Sequence, residues 1–569
     1  MKLQRRILTS ALILLPLIAL AWIWWNRPKK VDMADYVPAD SLVYIQADSL
    51  YELARALDQS DTWKRLGPIL DIQLNPDRGL LSTAVRVGLG PTQAVILSRA
   101  QVALVVVGMN TTEEPDTIRI KPDAALIVET HTSQPRIRST AIEAVKRIAQ
   151  FAYVQPSCTE HVEDAEYVEC VAPAGDRRIV AALEGSLIVL GNTKRAVQSC
   201  LEVRRGQRPS LRTDADMTRT RSSITTDQTL AFGYISPANS AKLFSWAAPL
   251  LIGRAPGDRQ LEQALAVSAS KILRGIAWNS QPSAGGIEDR FLFSLEPSVI
   301  SRLQPAFDTS KADNEFWKLV PETFQSLTIY RTENAPAAWV AMDSAVSSKL
   351  DALSAVVFAS LLKSSLSVYG IANPQELLAT LAPPLLTLRP DPDAEGSVLI
   401  GRVRDRQKLH ALAQQIFPGG GQIVEGIGSD PDSAKEFTAV LVDDYVLVGK
   451  TENVKRCVVA IRNKQTLASE TNRQRFIHFA PNSSATILTY TNDEPRLNSA
   501  LSVLSLLKGK QPPPEKAASL TTVIKETSFA ATETTLTAMG IERKTRSALG
   551  QFSTLLSLLE PDHTTRAAR

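Results

Sequence analysis

Two stretches far apart in this chain carry one pattern of apolar and polar positions. In "IVAALEGSLIVLG" two apolar runs meet at Glu184-Gly185, and in "FTAVLVDDYVLVG" two more meet at Asp443-Asp444. Acidic residues and glycine between short apolar runs predict tight hairpins. Gly191 and Gly449 end the second run of each pair. Thr193 and Thr451 follow where a hydroxyl caps a helix by accepting from its first-turn amides. Ala196, Val197, Cys200 and Leu201 then share one helix face, as do Val454, Cys457 and Val458. Both cysteines are therefore expected to be small buried apolar residues.

The correspondence extends in order along the chain. Leu42–Leu57 and Leu327–Met342 each read as a strand followed by a helix, with Tyr44 matched to Tyr330. Gly88–Val107 and Gly370–Leu388 each give a glycine-led turn, a short helix and a strand. Ala125–Ala149 and Val398–Phe417 run from strand to helix, and Ala231–Phe244 matches Ile487–Leu501 with Tyr234 opposite Tyr490. Each series closes on strand-like sequence, "GIAWNSQ" with "EDRFLFSLEP" and "LTTVIKETS" with "ATETTLTAMGIE". Five collinear matches predict an internal duplication. The expected fold is α+β: two duplicated modules, 36–300 and 318–545, of mainly antiparallel sheet with helices packed on a face, and a loose tail at 561–569.

A different pattern precedes the first module. After a short basic start, residues 1–6, the run Ile7–Trp25 is free of charge and ends in Trp22, Trp24 and Trp25. At about 1.5 Å per residue it matches a hydrocarbon core of about 30 Å, with the indoles at headgroup depth. No small-x-small site follows the apolar core, which predicts an uncleaved transmembrane anchor over 7–25, a cytoplasmic N-terminus and a body exported to the periplasm. Ala352–Leu362 is too short to span and is expected as a core helix.

Composition narrows the partners. The 569 residues are 44% apolar and 21% charged with net charge +4, a globular make-up too weakly basic to call for nucleic acid. Four cysteines make no framework, but Cys158 and Cys170 flank "TEHVEDAEYVE" and are placed for a hairpin disulfide, which suits an oxidising compartment. The "PADSLVY" stretch at Pro38–Tyr44, the Gly-then-Pro turns at Gly88 to Pro91 and Gly370 to Pro374, and the strand-Gly-helix units at Gly191 and Gly449 resemble the bacterial envelope family known as domain of unknown function 3352. That resemblance covers about Tyr36 to Lys544. It implies an anchored, exported protein with a repeated α+β body, and it carries no catalytic residues.

Chemical motifs are few. His131, His161, His410, His478 and His563 stand apart, with no zinc spacing, and His131 and His410 are read as solvated loop residues. No Gly-x-Ser-x-Gly elbow is present. Asp391–Gly396 begins like a calcium loop, but Arg402 occupies the twelfth position where a bidentate glutamate is needed. "PGGGQ" at Pro418–Gln422 lacks a P-loop lysine and reads as a turn. Arg204, Arg205, Arg208, Arg212, Arg219 and Arg221 form the densest charge feature, read as a hydrated linker with contact to anionic lipid or an acidic partner as the alternative. No cofactor, metal or catalytic residue is expected. Paired, chemically quiet modules on an anchor predict an inner-membrane protein that binds or scaffolds envelope partners, as a subunit of a membrane complex in one version. A periplasmic carrier for lipid or another apolar ligand, and an enzyme with its site between the modules, are the alternatives.

Overall fold

The computed structural model describes residues 30–70, 100–113, 118–239, 270–310, 315–351, 369–391, 396–416, 423–469, 483–508 and 514–557, less a few single positions, plus scattered ones such as Ile96 and Leu366. The anchor segment 7–25 and the tail 561–569 lie outside them. Among the described residues no helix is long and apolar enough to cross a membrane.

The first half runs β1 (Val43–Ala47), α1 (Leu50–Gln59), α2 (Asp61–Leu70), β2 (Gln101–Glu113), β3 (Ile118–Glu129), α3 (Gln134–Ala152), β4 (Ser157–Val162), β5 (Glu166–Val171), β6 (Arg178–Glu184), β7 (Leu187–Gly191), α4 (Lys194–Arg204), α5 (Ala215–Ile224), β8 (Ala231–Ile235), β9 (Leu273–Ser283), β10 (Gly286–Leu295) and α6 (Pro297–Phe307). The second half runs β11 (Ser326–Tyr330), α7 (Ala335–Ser347), α8 (Pro374–Ala379), β12 (Leu381–Arg389), β13 (Val398–Val403), α9 (Arg406–Ile416), β14 (Ile423–Glu425), β15 (Phe437–Val442), β16 (Tyr445–Lys450), α10 (Thr451–Arg462), β17 (Ile487–Asn492), α11 (Glu494–Lys508), α12 (Pro514–Thr527), β18 (Phe529–Thr537), β19 (Gly540–Ser547) and α13 (Phe552–Ser557).

The 19 described strands join in one sheet, so the fold is α+β with mostly antiparallel pairing. From one edge the order in the first half is β4-β5-β6-β7-β3-β2-β1-β8-β9-β10. In the second half it is β14-β15-β16-β13-β12-β11-β17-β18-β19. Registers coincide as well as order. Val180 faces Gly191 as Thr438 faces Gly449, and Ser283 faces Gly286 as Thr537 faces Gly540. β10 then pairs antiparallel with β19, Arg290 opposite Lys544, which joins the two halves in one sheet. Among the described residues the hairpin β4/β5 has no antiparallel counterpart, and β14 runs parallel to β15.

Burial on both faces explains why strands such as Val398–Gly401 and Tyr445–Gly449 read as continuous apolar runs. One face of the first half packs Tyr44, Phe232, Tyr234 and Cys200 under the 3-10 turn Met33–Tyr36, α4 and α5; the same face of the second half packs Leu327, Tyr490 and Cys457 under α10. On the opposite face α3 covers the outer first half and α7 to α9 the outer second half. At the centre Trp63 and Leu66 of α2 meet Leu501 of α11 and Ile524 of α12, so the halves are bound by helices as well as by the β10/β19 ladder.

Several local expectations require correction. Of "LTTVIKETS", Leu520–Thr527 lie in helix α12, not in a strand: Leu520, Val523 and Ile524 sit at helical spacing against α2. The connector expected at Lys508–Lys516 is shorter, because Lys508 ends α11 and Pro514 opens α12, proline being suited to a first helical turn. Thr193 caps α4 as expected, accepting from Ala196 N at 3.2 Å, but Thr451 lies inside α10 and donates to the Lys435 carbonyl at 2.5 Å. Tyr44 pairs with Tyr234, whereas Tyr490 pairs with Leu327, so the positional mate of Tyr44 is Leu327. Tyr330 packs on the other face, because a strand's faces alternate and an odd offset reverses them. In the Ala352–Leu362 segment Leu362 packs against the α7–α9 core, while Val356 is 68% exposed.

Candidate functional site

The six arginines do not form a hydrated linker. Arg204 closes α4 and Arg219 and Arg221 lie on α5, whose first amides are held by Asp214 Oδ1 at 2.8 and 3.1 Å from Asp216 N and Met217 N. Each guanidinium has a carboxylate of this chain. Arg204 reaches Glu184 at 3.2 Å, Arg205 is bonded to Asp164 and Glu184, and Arg219 meets Asp216 at 2.9 Å. Arg208 takes both oxygens of Asp40 at 2.8 and 2.6 Å, Arg212 binds Asp35 at 2.7 Å and Arg221 binds Asp32 at 2.9 Å. The guanidinium of Arg205 holds the Asp164 carboxyl below the usual range. Spacing along the sequence concealed this, because the acids of three pairs lie in the leading segment 32–40.

That leading segment is fixed from its first residues. The Gln101 amide clasps Val31, accepting from its N at 2.8 Å and donating to its carbonyl at 2.9 Å. His131 Nε2 lies 3.1 Å from Gln101 Oε1 and its side chain is 14% exposed. It is thus a packed member of a network rather than a solvated loop residue. Tyr36 donates to the buried Glu129 carboxylate at 3.1 Å, and its ring faces the Arg204 guanidinium. Burial and the Glu129 charge push the Tyr36 hydroxyl up to about 12, so it stays protonated.

Two cavities adjoin these elements. A cleft of about 660 Å³ opens at the head of β1, walled by Asp40, Leu42, Val107, Met109, Arg195 and Asn239 among others. On the other face a smaller cavity of about 200 Å³ lies between β1, β8, β9, β10 and α13, lined by Ile45, Ile235, Ile276, Trp278, Phe291 and Leu555. Beside it Asp289 is fully buried, accepting from Trp278 Nε1 and Gln551 N, each at 2.8 Å. Burial pushes its carboxyl up to about 6. Asp493 is also raised by burial. Asp289 is committed to pinning the turn before α13 to the sheet.

Other sequence candidates fall into structural roles. Cys158 and Cys170 oppose each other across β4/β5 and are joined as a disulfide. Asp443, with φ of 53°, forms the β15/β16 turn with Asp444 and pairs with Lys318 at 3.3 Å. Asp391 is bonded to Arg456, and His410 lies 2.9 Å from Glu425 on the surface. "PGGGQ", His478 and His563 lie outside the described residues. Among the described residues no group of three His, Cys, Asp or Glu is placed to hold a metal. Comparison with protein-family models, curated proteins and solved structures yields no match. The likeness to domain of unknown function 3352 therefore rests on the ordered sequence marks alone.

Proposed function

We propose that this chain is a membrane-tethered binding protein of the bacterial envelope, an internally doubled body that presents surface to periplasmic partners and is anchored by residues 7–25. The observation that carries this reading is the locking of Val31 to Gln101 and of Asp32, Asp35 and Asp40 to Arg221, Arg212 and Arg208. A body fixed from Val31 leaves the six bonds from Trp25 as its leash, a reach of about 20 Å at ~3.5 Å per residue. Such a body works against the bilayer rather than at a distance from it. Matched registers in the two halves support the doubling, and the Cys158–Cys170 disulfide suits an oxidising compartment. The apolar cavity beside Trp278 keeps a lipid-carrying variant of this role in view.

The test is fractionation with topology. The full chain is expected in the inner-membrane fraction, resistant to alkaline extraction, with its body cut by protease once the outer membrane is opened. Recovery in the soluble fraction, or protection until the inner membrane is lysed, would overturn the reading. Affinity isolation from gently solubilised membranes, with proteins and lipids both identified, then names the partners.

A further inference from the structure

We propose that the cleft at the head of β1 binds an amphiphilic anion, a carboxylate on an aliphatic chain, with Arg195 as its charge partner. The inference rests on the binding-protein reading and names a ligand class for it. A volume of about 660 Å³ is in the range of small-molecule sites, roughly 300–1,000 Å³, and larger than the apolar cavity on the other face. Its charged walls are unequal. Asp40 is paired with Arg208 through both oxygens, and Asp214 Oδ1 caps the first amides of α5, so both acids already have partners within the chain. Arg195, exposed on the first turn of α4, has no carboxylate partner among the described residues. It differs in this from all six arginines that follow it.

The rest of the wall defines the ligand's other half. Val107 and Met109, both partly exposed, offer apolar surface that suits methylenes, with Leu42 buried behind them. Asn239 braces the rim by donating to the Ser41 carbonyl at 2.7 Å, so the site is built before a ligand arrives. A planar guanidinium matches a carboxylate by two parallel hydrogen bonds.

The experiment uses the full chain in lipid nanodiscs and a twelve-carbon fatty acid bearing a diazirine near its tail. After illumination, label is expected on peptides containing Leu42 and Val107–Met109. Arg195→Gln should lower that label at least tenfold, Arg195→Lys, which keeps the charge but loses the two parallel bonds, should retain only part of it, and the methyl ester of the probe should not label the site. Label elsewhere only, label unchanged in Arg195→Gln, or equal labelling by acid and ester would each overturn the inference. Circular dichroism of each variant confirms folding. Because membrane fractionation is measured separately, an anchored chain that fails to label removes the ligand but leaves the tether, and a labelled chain found soluble does the reverse.

Discussion

Gly286 and Gly540 approach the central seam in the same way from opposite ends. A Cβ on Gly286 would stand 2.2 Å from the Ser547 carbonyl oxygen, and one on Gly540 would stand 2.1 Å from that of Phe293. Gly540 also has φ of 141°, which L side chains rarely adopt. Neither obstacle is a flexible side chain that can turn away. Gly540→Ala is therefore expected to cost about 3 kcal/mol or more, from overpacking plus backbone strain, and Gly286→Ala about 2–3 kcal/mol. Gly175→Ala, with φ of 72° but nothing within 4 Å, should cost about 1 kcal/mol and serves as the control. Urea midpoints of the three variants check the order, and equal midpoints would mean that the seam tolerates separation.

Asp289 makes stability depend on pH in a stated direction. Its carboxyl titrates at about 6 in the folded protein, against an ordinary carboxylate value near 4 in the unfolded chain. Between those values the folded state binds more protons, so this group's contribution to stability falls as pH rises from about 4 to 6 and is flat above. Two units correspond to roughly 3 kcal/mol. The difference in unfolding free energy between wild type and Asp289→Asn should therefore change by about 2–3 kcal/mol across that window. A pH-independent difference would show that folding leaves the titration of this carboxyl unshifted.

Much of the sheet was legible because hairpins write themselves locally. Glu184-Gly185 and Asp443-Asp444 each sit between apolar runs, and the chain turns there. What escaped detection was set by contacts distant in sequence. Tyr44 and Tyr330 looked alike because each is an aromatic in a short strand. The face a strand residue takes depends on its register, Tyr44 opposite Tyr234 and Tyr330 opposite Ile487, which no local pattern records. The arginines misled for the same reason: Arg208 and Asp40 are 168 positions apart, and a basic run read alone looks unpaired. Likewise Thr522 and Ser519 flank the apolar stripe of α12, whose β-branched composition favours a strand until α2 supplies a partner at helical spacing.

The four cysteines should divide cleanly by reactivity. Cys200 and Cys457 are fully buried, and burial pushes both thiols up to about 12. A thiol that reacts as its thiolate is then inert at neutral pH. With Cys158 and Cys170 joined, the native protein should show no thiol towards a small alkylating agent and two after unfolding without reductant. Replacing both bridged residues by serine should lower stability by about 2–3 kcal/mol, given the short loop that the bridge closes. Rapid native labelling at Cys200 or Cys457 would mean that the helices α4 or α10 open readily.

The three pairs Arg208–Asp40, Arg212–Asp35 and Arg221–Asp32 should act as a clamp on the leading segment rather than as pillars of the fold. Most of these side chains are partly exposed, the Arg221–Asp32 pair being the best covered, at 26% for each partner. Exposed pairs contribute about 0.2–1 kcal/mol each, so their joint loss should shift the urea midpoint little. The segment's other polar ties include Gln101 to Val31, Tyr36 to Glu129, and the backbone bonds from Ala39 N to the Pro209 carbonyl and from Leu211 N to the Val37 carbonyl, with Met33, Ala34 and Val37 buried beneath, so the arginines are the main side-chain hold on Asp32, Asp35 and Asp40. Replacing all three arginines by glutamine should therefore raise protease cleavage within residues 30–40 several-fold while the rest of the body resists. High salt should reproduce part of the effect in the wild type, because screening weakens exposed pairs. Global unfolding of the triple variant would show that the arginines are structural to the whole sheet, and unchanged cleavage would show that the buried apolar residues hold the segment alone.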